Sequence, residues 1–328
     1  MFKLVIFPLH HPYMDAVLAD LKGLEDVYFE KPLRNGLINK IRYFHTSITA
    51  NRFLRLPFQS LWYSTYFKCS SKTESKFAFL FFQGNPLGYD SKFHNYLRKK
   101  YPSSKLCFFW GNMVSDALVK YVDYVNREFD LVYTFDKNDH LKYGWHLHEA
   151  TFGDVTKWNL PIIPASDIFF VGKAKGRIQL IHDVYDKFEK LGYKADFHVI
   201  DVDSEDQVKE GIIYNQPMSY YEVLGHSLST KVILEIVQEG QVGTTLRTSE
   251  SIAFKKRLLT NNIGIKDTYL FSPHVTLFKN AEDIKVNEVM NSTIDEEAFK
   301  DISYKMGSQR LLEKIQKDYD EQERKGSI

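Results

Sequence analysis

The chain has 328 residues, with 43 Lys plus Arg against 42 Asp plus Glu and a formal net charge of +1. This length predicts two domains, each large enough to bury a core. Hydrophobic residues make up 44% and charged residues 26%, which excludes a disordered chain, a collagen-like repeat and a generally basic nucleic-acid-binding protein. The high aromatic fraction, 15%, fits an aromatic-rich core better than a carbohydrate-facing cleft, although flat rings also stack on sugars.

Cysteine usage and apolar run lengths indicate the cellular compartment. Cys69 and Cys107 cannot build a disulfide framework, and Cys107 lies in the apolar run LCFFW, so a reducing compartment is expected. The N-terminal apolar run ends at Pro8 and predicts a first strand, not a signal peptide. No window reaches about 18 uninterrupted apolar residues, so no transmembrane helix is expected. These features predict a cytoplasmic protein that can still touch a membrane.

Short β-rich runs alternate with helical stretches in the first half, which is typical of an α/β fold. Unbroken apolar runs such as KFAFLFF predict strands of a parallel sheet covered on both faces. The predicted strands here are Lys3–Phe7, Lys76–Phe82, Leu106–Trp110 and Leu131–Phe135. The predicted helices are Tyr13–Leu24, Ser91–Lys100, Asp116–Phe129 and Asp136–Tyr143.

Residues 158–164 contain two prolines and no periodicity, and are the best linker candidate. The α/β pattern restarts after them, so we predict an N-terminal domain of residues 1–160 and a C-terminal domain of residues 161–303. The predicted strands of the second half are Asp167–Val171, Ala195–Val202, Lys231–Ile236, Arg257–Thr260 and Tyr269–Phe271. The predicted helices are Arg177–Leu191, Ser219–His226 with a capping box to Glu222, Arg247–Lys256 and a charged tail, Glu296–Arg324.

A first candidate phosphate loop, GKAKGR, follows the strand DIFFV. Gly172 and Gly176 let the backbone approach a ligand, while Lys173, Lys175 and Arg177 place positive charge at a helix start. The spacing matches neither a Walker loop nor a dinucleotide-binding Gly-x-Gly-x-x-Gly motif. A solvated basic loop is an equally good interpretation.

The second candidate is the segment ILEIVQEGQVGTTLRTSESIAFKKRLLTNN, residues 233–262. Thr244 and Thr245 present donors at a helix start, and Arg247 can pair bidentately with phosphate. Glu250 lies one helical turn beyond Arg247, where a carboxylate can accept two hydrogen bonds from a ribose diol. The alternative is a glycine turn, a threonine N-cap and a surface Arg–Glu pair.

These segments resemble bacterial GT-B glycosyltransferases that assemble lipopolysaccharide, capsule, exopolysaccharide or surface glycans. The resemblance is carried by DIFFVG, MSYYEVLGHS and above all EIVQEGQVGTTLRTSESIAFKKRLLTNN, and covers about residues 165–285; the first half matches in architecture only. It implies two Rossmann-like doubly wound domains facing a central cleft, with the acceptor on the N-terminal domain and the nucleotide-sugar on the C-terminal one. It also implies that the C-terminal helix, residues 304–328, packs back onto the N-terminal domain.

The resemblance further implies which residues bind the donor. The segment from Tyr214 to Ser219 is expected near the nucleobase of the donor, and Glu250 is expected to contact its ribose. The implied donor-binding residues are Gly172, Lys173, Arg177, Tyr214, Ser219, Gln241, Gly243, Thr244, Thr245, Arg247 and Glu250. Retaining members often show Glu-x7-Glu, whereas ten residues separate Glu239 from Glu250 here, so inversion and retention both stay open.

An inverting transfer needs a base for the acceptor hydroxyl. We predict His11 and Asp15, in the loop after the first strand, as base or acceptor-binding groups; an exposed loop histidine and a helix-start carboxylate are the alternative. Asp201 and Asp203 have the Asp-x-Asp form of a GT-A metal site, but a surface loop is favoured in a GT-B-like domain. His146-Leu147-His148-Glu149 lacks further ligands at zinc spacing. We therefore predict no metal and no cofactor, with a UDP-sugar favoured as donor substrate.

Residues 31–76 carry nine Lys or Arg, a single Glu and eight aromatic residues. Such a surface suits an anionic membrane that carries a lipid-linked acceptor, although a packed insertion with a solvated basic face is an alternative. No second motif supports nucleic-acid binding.

The sequence thus predicts a metal-independent glycosyltransferase (hexosyltransferase type, EC 2.4). It would move a sugar from a nucleotide-sugar to a surface-glycan acceptor, a lipid-linked saccharide or a glycoprotein, in the cytoplasm at the inner face of the membrane. A non-catalytic GT-B-like partner subunit and a metal-dependent GT-A-like enzyme are the alternatives. Donor sugar, acceptor and homo-oligomer formation stay open.

Overall fold

The chain folds into two compact units, each with its own sheet. The computed structural model describes residues 2–9, 11–31, 35–46, 51, 56–67, 76–83, 89, 91–238, 240 and 242–326. Unit 1 comprises residues 1–14, 21–148 and 311–328, and unit 2 comprises residues 15–20 and 149–310. The chain therefore passes between the units four times, near residues 15, 21, 149 and 311.

Unit 1 contains a six-stranded parallel sheet. Its strands are β1 Lys3–Phe7, β2 Val27–Phe29, β3 Phe77–Gln83, β4 Lys105–Trp110, β5 Leu131–Thr134 and β6 His146–Leu147. Their order is β2-β1-β3-β4-β5-β6. Strand β2 is added on one side of β1 and β3 on the other, so the strand order reverses between β1 and β3. The helices are α1 Met14–Val17, whose last three residues belong to unit 2, α2 Gly36–Thr46, α3 Ser91–Lys100, α4 Val122–Glu128 and α5 Lys137–Tyr143.

Unit 2 contains a second six-stranded parallel sheet. Its strands are β7 Ser166–Lys173, β8 Ala195–Ile200, β9 Ile212–Tyr214, β10 Thr230–Glu235, β11 Arg257–Thr260 and β12 Val275–Leu277. The order β12-β11-β10-β7-β8-β9 places the reversal between β7 and β10, as in doubly wound nucleotide-binding sheets. The helices are α6 Ile178–Glu189, α7 Tyr220–Ser229, α8 Leu246–Ala253, α9 Val286–Asn291 and α10 Glu296–Met306.

The last helix, α11 Ser308–Gly326, belongs to unit 1 from Leu311 onward. The Tyr319 hydroxyl donates to the Ser103 carbonyl at 2.5 Å, and its ring lies 5.1 Å from the Phe2 ring. Gln322 donates from Nε2 to the Asp130 carbonyl at 2.8 Å. These contacts attach the end of the chain to residues that precede β1, β4 and β5 of unit 1. Within the described ranges, no helix combines the length and the apolar character needed to cross a bilayer.

The two cores differ in composition. The core of unit 1 is a network of aromatic rings, in which Phe7 stacks on Phe81 with 4.6 Å between centroids. The core of unit 2 is mainly aliphatic, with Ile168, Val232 and Leu234 from its central strands. Much of the aromatic excess of the sequence is therefore core packing, as composition favours.

Element prediction succeeds where the apolar pattern is local. The α/β fold class is confirmed, and Lys3–Phe7, Ser91–Lys100 and Arg257–Thr260 have the predicted bounds. The predicted strand Tyr269–Phe271 is wrong. These residues form a turn in which Leu270 is buried, and the edge strand is β12, after Pro273. Short apolar runs do not by themselves distinguish a strand from a packed turn.

The predicted helix Tyr13–Leu24 is reduced to α1 and a 3₁₀ turn, Ala19–Leu21. Backbone groups that would continue the helix have distant partners instead. The Ala16 carbonyl accepts from the Gly153 N–H at 2.9 Å, and the Val17 carbonyl accepts from the Ser308 hydroxyl at 2.8 Å. These bonds stabilise unit 2 in place of a longer helix.

Candidate functional site

The carboxyl ends of β7 and β10 lie side by side where the strand order of unit 2 reverses. Ligands of open α/β sheets bind beyond the carboxyl ends of the strands at such a point. The loop after β7 carries Arg177, and the loop after β10 leads through Thr244 into α8. We call these two strand ends, the loops that follow them and the first five residues of α8 the β7/β10 edge. Most of the predicted donor-binding residues belong to it.

Arg177 ties the two strand ends together. Its guanidinium donates from Nη2 to the Lys173 carbonyl at 2.5 Å, from Nε to the Ala174 carbonyl at 3.2 Å, and from Nη1 to the Ile236 carbonyl. Burial lowers the pKa of this guanidinium from its ordinary value. All three guanidinium nitrogens therefore donate hydrogen bonds to carbonyl groups at the ends of β7 and β10. Its predicted contact with a diphosphate stays a prediction.

The loop after β7 is shaped by backbone conformation. Gly176 has a φ of +75°, and Lys175 shares the left-handed region at 44°. At Gly172 an added Cβ would lie 3.2 Å from the tip of the Phe170 ring, so a side chain would crowd the core. The exposed Lys173 ammonium lies 2.7 Å from the Asp201 carboxylate. The first Asp of the Asp-Val-Asp segment thus pairs with a lysine, which fits a surface loop.

Glu235, at the end of β10, is a buried carboxylate held by hydroxyl groups. Thr248 donates to Oε1 at 2.8 Å and Thr260 donates to Oε2 at 2.5 Å. Thr245 also donates to Oε1, and its hydroxyl accepts from the Arg247 N–H at 3.0 Å as the N-cap of α8. The cluster fixes the start of α8 against the end of β10.

Glu250 is fully buried, one turn into α8. Its Oε1 accepts from the Tyr220 hydroxyl at 2.9 Å and from Arg247 Nη2 at 2.5 Å, and its Oε2 accepts from Ser227 at 2.8 Å. Burial raises the pKa of this carboxyl, and Arg247 together with the two hydroxyl groups opposes part of the shift. The predicted contact with a ribose stays a prediction, and it would require this cluster to open.

The two terminal nitrogens of the Arg247 guanidinium differ in their hydrogen bonding. Nη2 pairs with Glu250, whereas Nη1 is buried with no hydrogen-bond partner among the described residues. Only 13% of the side chain is exposed. The residue stands in the first turn of α8, where the helix dipole favours an anion. A guanidinium N–H without a partner at such a position is suited to an incoming phosphate oxygen.

The turn before α8 is held by distant partners. Thr244 donates to the Glu149 carbonyl at 2.6 Å, and the buried Asn262 donates from Nδ2 to the Gly243 carbonyl at 3.1 Å. Gln241 and Glu239 lie outside the described residues. Thr244 and Gly243 therefore take part in the backbone framework of the β7/β10 edge.

Tyr214 and Ser219 flank the loop between β9 and α7. The Tyr214 hydroxyl lies 2.8 Å from His182 Nε2 and accepts from the Lys209 N–H at 3.3 Å, and burial raises its pKa. Ser219 is the N-cap of α7, and the predicted capping box with Glu222 is confirmed. Both side chains have local structural partners, and their predicted place near a base stays a prediction.

The two predicted catalytic residues lie where the chain leaves β1. His11 is exposed in the turn after this strand, with its ring 4.3 Å from the Tyr13 ring. Asp15 is exposed in the first turn of α1. Their role as base or acceptor-binding group stays a prediction. Residues 84–88, after β3, lie outside the described residues, and in the loop after β4 the Val114 N–H donates to the Asp139 carboxylate at 3.0 Å.

The His146–Glu149 segment has structural partners in unit 1. His146 Nδ1 lies 3.1 Å from the Asp318 carboxylate. His148 is buried, and burial lowers its pKa to about 4.

Sequence reasoning missed a cluster of Asp196, His198 and His226. Its ligand atoms all lie within 4.8 Å of one another, and it is the one group in the described ranges with the composition of a metal site. Asp196 lies 2.9 Å from His198 Nε2 and 2.6 Å from His226 Nδ1. Burial raises the pKa of Asp196, but the contacts with both imidazoles outweigh it and leave the pKa below its usual value. The Asp-x-His alternation was the signal. The cluster lies toward the amino end of β8, away from the β7/β10 edge.

No protein-family model and no curated protein matches this chain. Its structure is similar to a trehalose-6-phosphate synthase, OtsA, with a TM-score of 0.60 and 12% identity, covering 97% of this chain and 99% of that one. A UDP-forming α,α-trehalose-phosphate synthase from Burkholderia vietnamiensis gives 0.59 and 10%, covering 100% and 99%. UDP-N-acetylglucosamine 2-epimerase from Rickettsia bellii gives 0.50 and 10%, covering 98% and 97%. These similarities and the two parallel sheets establish a GT-B fold.

Proposed function

We propose that this chain is a metal-independent glycosyltransferase that binds a UDP-sugar at the β7/β10 edge of unit 2. The observation that carries the proposal is Arg247: its guanidinium is largely buried in the first turn of α8, and Nη1 has no hydrogen-bond partner among the described residues. A guanidinium and a helix start together stabilise a diphosphate. The fold similarity to a UDP-forming synthase and to an epimerase named for a UDP-sugar supports UDP as the nucleotide.

The proposed reaction places charge where these groups lie. The bond between the anomeric carbon and the diphosphate oxygen breaks, a bond to the acceptor oxygen forms, and the nucleoside diphosphate leaves with the electron pair. Arg247 and the start of α8 stabilise the charge on the leaving group. Lys173, exposed at the end of β7, adds a second cation when its pair with Asp201 opens. In an inverting transfer, His11 or Asp15 takes the proton of the acceptor hydroxyl.

The acceptor in this proposal is a surface glycan, either a lipid-linked saccharide or a glycoprotein, reached from the cytoplasm. The resemblance of residues 165–285 to surface-glycan transferases supports this acceptor. The structural neighbours named trehalose-phosphate synthases favour a second candidate, a sugar phosphate. Both candidates share the donor and the β7/β10 edge, and they differ only in the nucleophile.

Two further functions, one catalytic and one not, are compatible with the fold alone. An epimerase would rearrange the UDP-sugar without any acceptor, and a non-catalytic partner subunit would bind the nucleotide without turnover. Glu250 and Arg177 are hydrogen-bonded to groups of the protein itself. A subunit that binds the nucleotide without catalysis would be expected to show the same hydrogen bonds. Product analysis separates these possibilities.

The test incubates the full chain in EDTA with UDP-, GDP-, dTDP- or CMP-sugars and with glucose 6-phosphate or a bacterial lipid extract as acceptor. We expect acceptor-dependent UDP release, a new glycoside by mass spectrometry, and a rate about 100-fold lower in Arg247→Ala. Arg127→Ala, an exposed arginine of unit 1, is the matched control and should behave as wild type. Loss of the donor to an epimer without an acceptor, or no consumption of any nucleotide-sugar, would contradict the proposal.

A further inference from the structure

Helix α2 of unit 1 presents its apolar side chains to solvent. Leu37, Ile38, Ile41 and Phe44 are each between 43% and 69% exposed. At 100° per residue, Leu37, Ile41 and Phe44 fall on one stripe, with Ile38 along its side. In an ordinary surface helix such a stripe faces the core. Here it faces outward.

The inner side of α2 carries a buried arginine. Arg42 is fully buried, its Nη2 lies 3.5 Å from the buried Glu30 carboxylate, and it donates to the Lys31 carbonyl at 3.1 Å. The guanidinium also lies 4.9 Å from the Tyr66 ring. The helix is thus attached to unit 1 through a buried ion pair and ring contacts. Its outward apolar stripe is therefore a fixed feature of the fold.

The neighbouring 3₁₀ helix, Gln59–Thr65, extends this surface. Trp62 donates from Nε1 to His45 Nδ1 at 2.7 Å, and Gln59 donates to the His45 carbonyl at 3.0 Å. Beside these contacts Phe58 and Leu61 are 74% and 72% exposed. Phe58 has a φ of 60°, a left-handed conformation that non-glycine residues rarely adopt. We call the six exposed side chains the α2 surface: Leu37, Ile38, Ile41, Phe44, Phe58 and Leu61.

Charge distinguishes the segment that contains this surface from the rest of the chain. Residues 31–76 carry nine Lys or Arg and one Glu, whereas the other 282 residues carry 34 basic and 41 acidic residues. Lys31 and Lys40 are exposed within the described part of this segment. An anionic surface would therefore attract this segment more strongly than the rest of the chain.

We propose that the α2 surface docks unit 1 onto an anionic lipid bilayer. The helix lies in the plane of the interface, with Leu37, Ile41 and Phe44 among the acyl chains and the lysines at the headgroups. Contiguous exposed apolar side chains of this kind mark a surface that something covers. A second copy of the chain is disfavoured as the occupant, because a symmetric contact would bring two strongly basic segments together. The inference rests on unit 1 alone and is independent of the donor.

The test measures co-sedimentation of the full chain with vesicles of phosphatidylcholine, with and without phosphatidylglycerol. We expect binding to the anionic vesicles that falls with added salt, and that drops about tenfold or more in the variant Leu37→Ser/Ile41→Ser/Phe44→Ser. The matched control, Leu141→Ser/Leu191→Ser/Val208→Ser, removes three exposed apolar side chains elsewhere and should bind as wild type. Circular dichroism checks that both variants are folded.

Three results would overturn the inference. The first is that wild type fails to sediment with anionic vesicles, and the second is that the α2 variant binds them as wild type does. The third is that the α2 variant loses a dimer that light scattering detects without lipid, which would identify a second copy as the occupant. Calorimetric titration of UDP into the same variant tests the two proposals separately. Because the α2 surface is not part of the proposed donor site, the variant should bind UDP as wild type does.

Discussion

The β7/β10 edge of unit 2 and the α2 surface of unit 1 are opposite exceptions to the rule that apolar groups are buried and charged groups are exposed. The first buries two carboxylates, Glu235 and Glu250. The second exposes six large apolar side chains. A buried carboxylate persists only when it is hydrogen-bonded or paired, and a large exposed apolar patch usually marks a binding surface. The first departure fixes the position of Arg247, the residue proposed to bind an anion, and the second is the surface proposed to bind a bilayer.

The two regions also secure their charges differently. Glu235 is held by three threonine hydroxyl groups, while Glu250 has a guanidinium as well as two hydroxyl groups. In unit 1 the buried pair of Arg42 and Glu30 fixes a helix whose outer face is free for a ligand. The same chemistry, a buried Arg–Glu pair, thus supports a candidate ligand site in one unit and anchors a surface helix in the other.

The largest expected effect comes from Arg42→Ala. Its loss leaves the buried Glu30 carboxylate without its cation, so we expect the free energy of unfolding to fall by about 3–5 kcal/mol. Urea unfolding followed by circular dichroism measures it. Arg127→Ala, an exposed arginine, should change stability by less than about 0.5 kcal/mol. A loss near zero in Arg42→Ala would show that the pair does not anchor α2.

In unit 2, Arg247→Ala should cost slightly less, about 3 kcal/mol, because the guanidinium is partly reached by water. The double variant Arg247→Ala/Glu250→Gln should recover at least about 1 kcal/mol, since no unpaired buried charge remains. The same unfolding measurement on wild type, both single variants and the double variant gives the coupling energy. Strict additivity of the two changes would contradict the pairing.

Acid should destabilise both units through buried neutral histidines. Burial lowers the pKa of His94 in unit 1 and of His274 in unit 2 to about 4. Because the unfolded chain takes up these protons near pH 6.5, their contribution to stability is complete above that pH. It is lost as the pH falls from about 6.5 to about 4, by up to about 3 kcal/mol for each histidine.

Unfolding at a series of pH values tests this contribution, with His94→Gln and His274→Gln as separate variants. Each variant should flatten the pH dependence of stability between about pH 6.5 and 4. Profiles parallel to that of wild type would show that the histidine is not kept neutral by folding.

The smallest expected effect lies outside both regions, at the N-cap of α7. Ser219→Ala removes the hydroxyl that accepts from the Glu222 N–H, and should lower the free energy of unfolding by about 1 kcal/mol. Ser219→Asp retains a capping oxygen and serves as the control. An equal loss in both variants would mean that the capping box contributes little.

The sequence predicts the fold well because its signals are local. Apolar strands, glycine turns and the capping box at Ser219 lie within a few residues, and the sheets follow from them. The site is predicted less completely, since its partners are distant in the chain. Glu250 meets Tyr220 and Ser227, which are 30 and 23 residues away, and no spacing rule links them.

Helix α2 was missed for a different reason. Its apolar residues have helical spacing, but the side that packs inward carries Arg42, so the pattern does not predict a helix with an apolar inner face. The cluster of Asp196, His198 and His226 likewise depends on α7, which packs against β7 and brings His226 to Asp196 of the neighbouring strand β8. Such contacts are set by tertiary structure and not by local pattern.

Calorimetric titration of UDP into the full chain in EDTA tests the central claim most directly. The matched variant is Arg247→Lys, which keeps a positive charge beside Glu250 but loses the planar fork of donors. We predict that wild type binds UDP without metal and that Arg247→Lys binds it about tenfold or more weakly while unfolding at a similar temperature. Absence of UDP binding to wild type, or equal affinity of the two proteins, would contradict the assignment of the β7/β10 edge as a donor site.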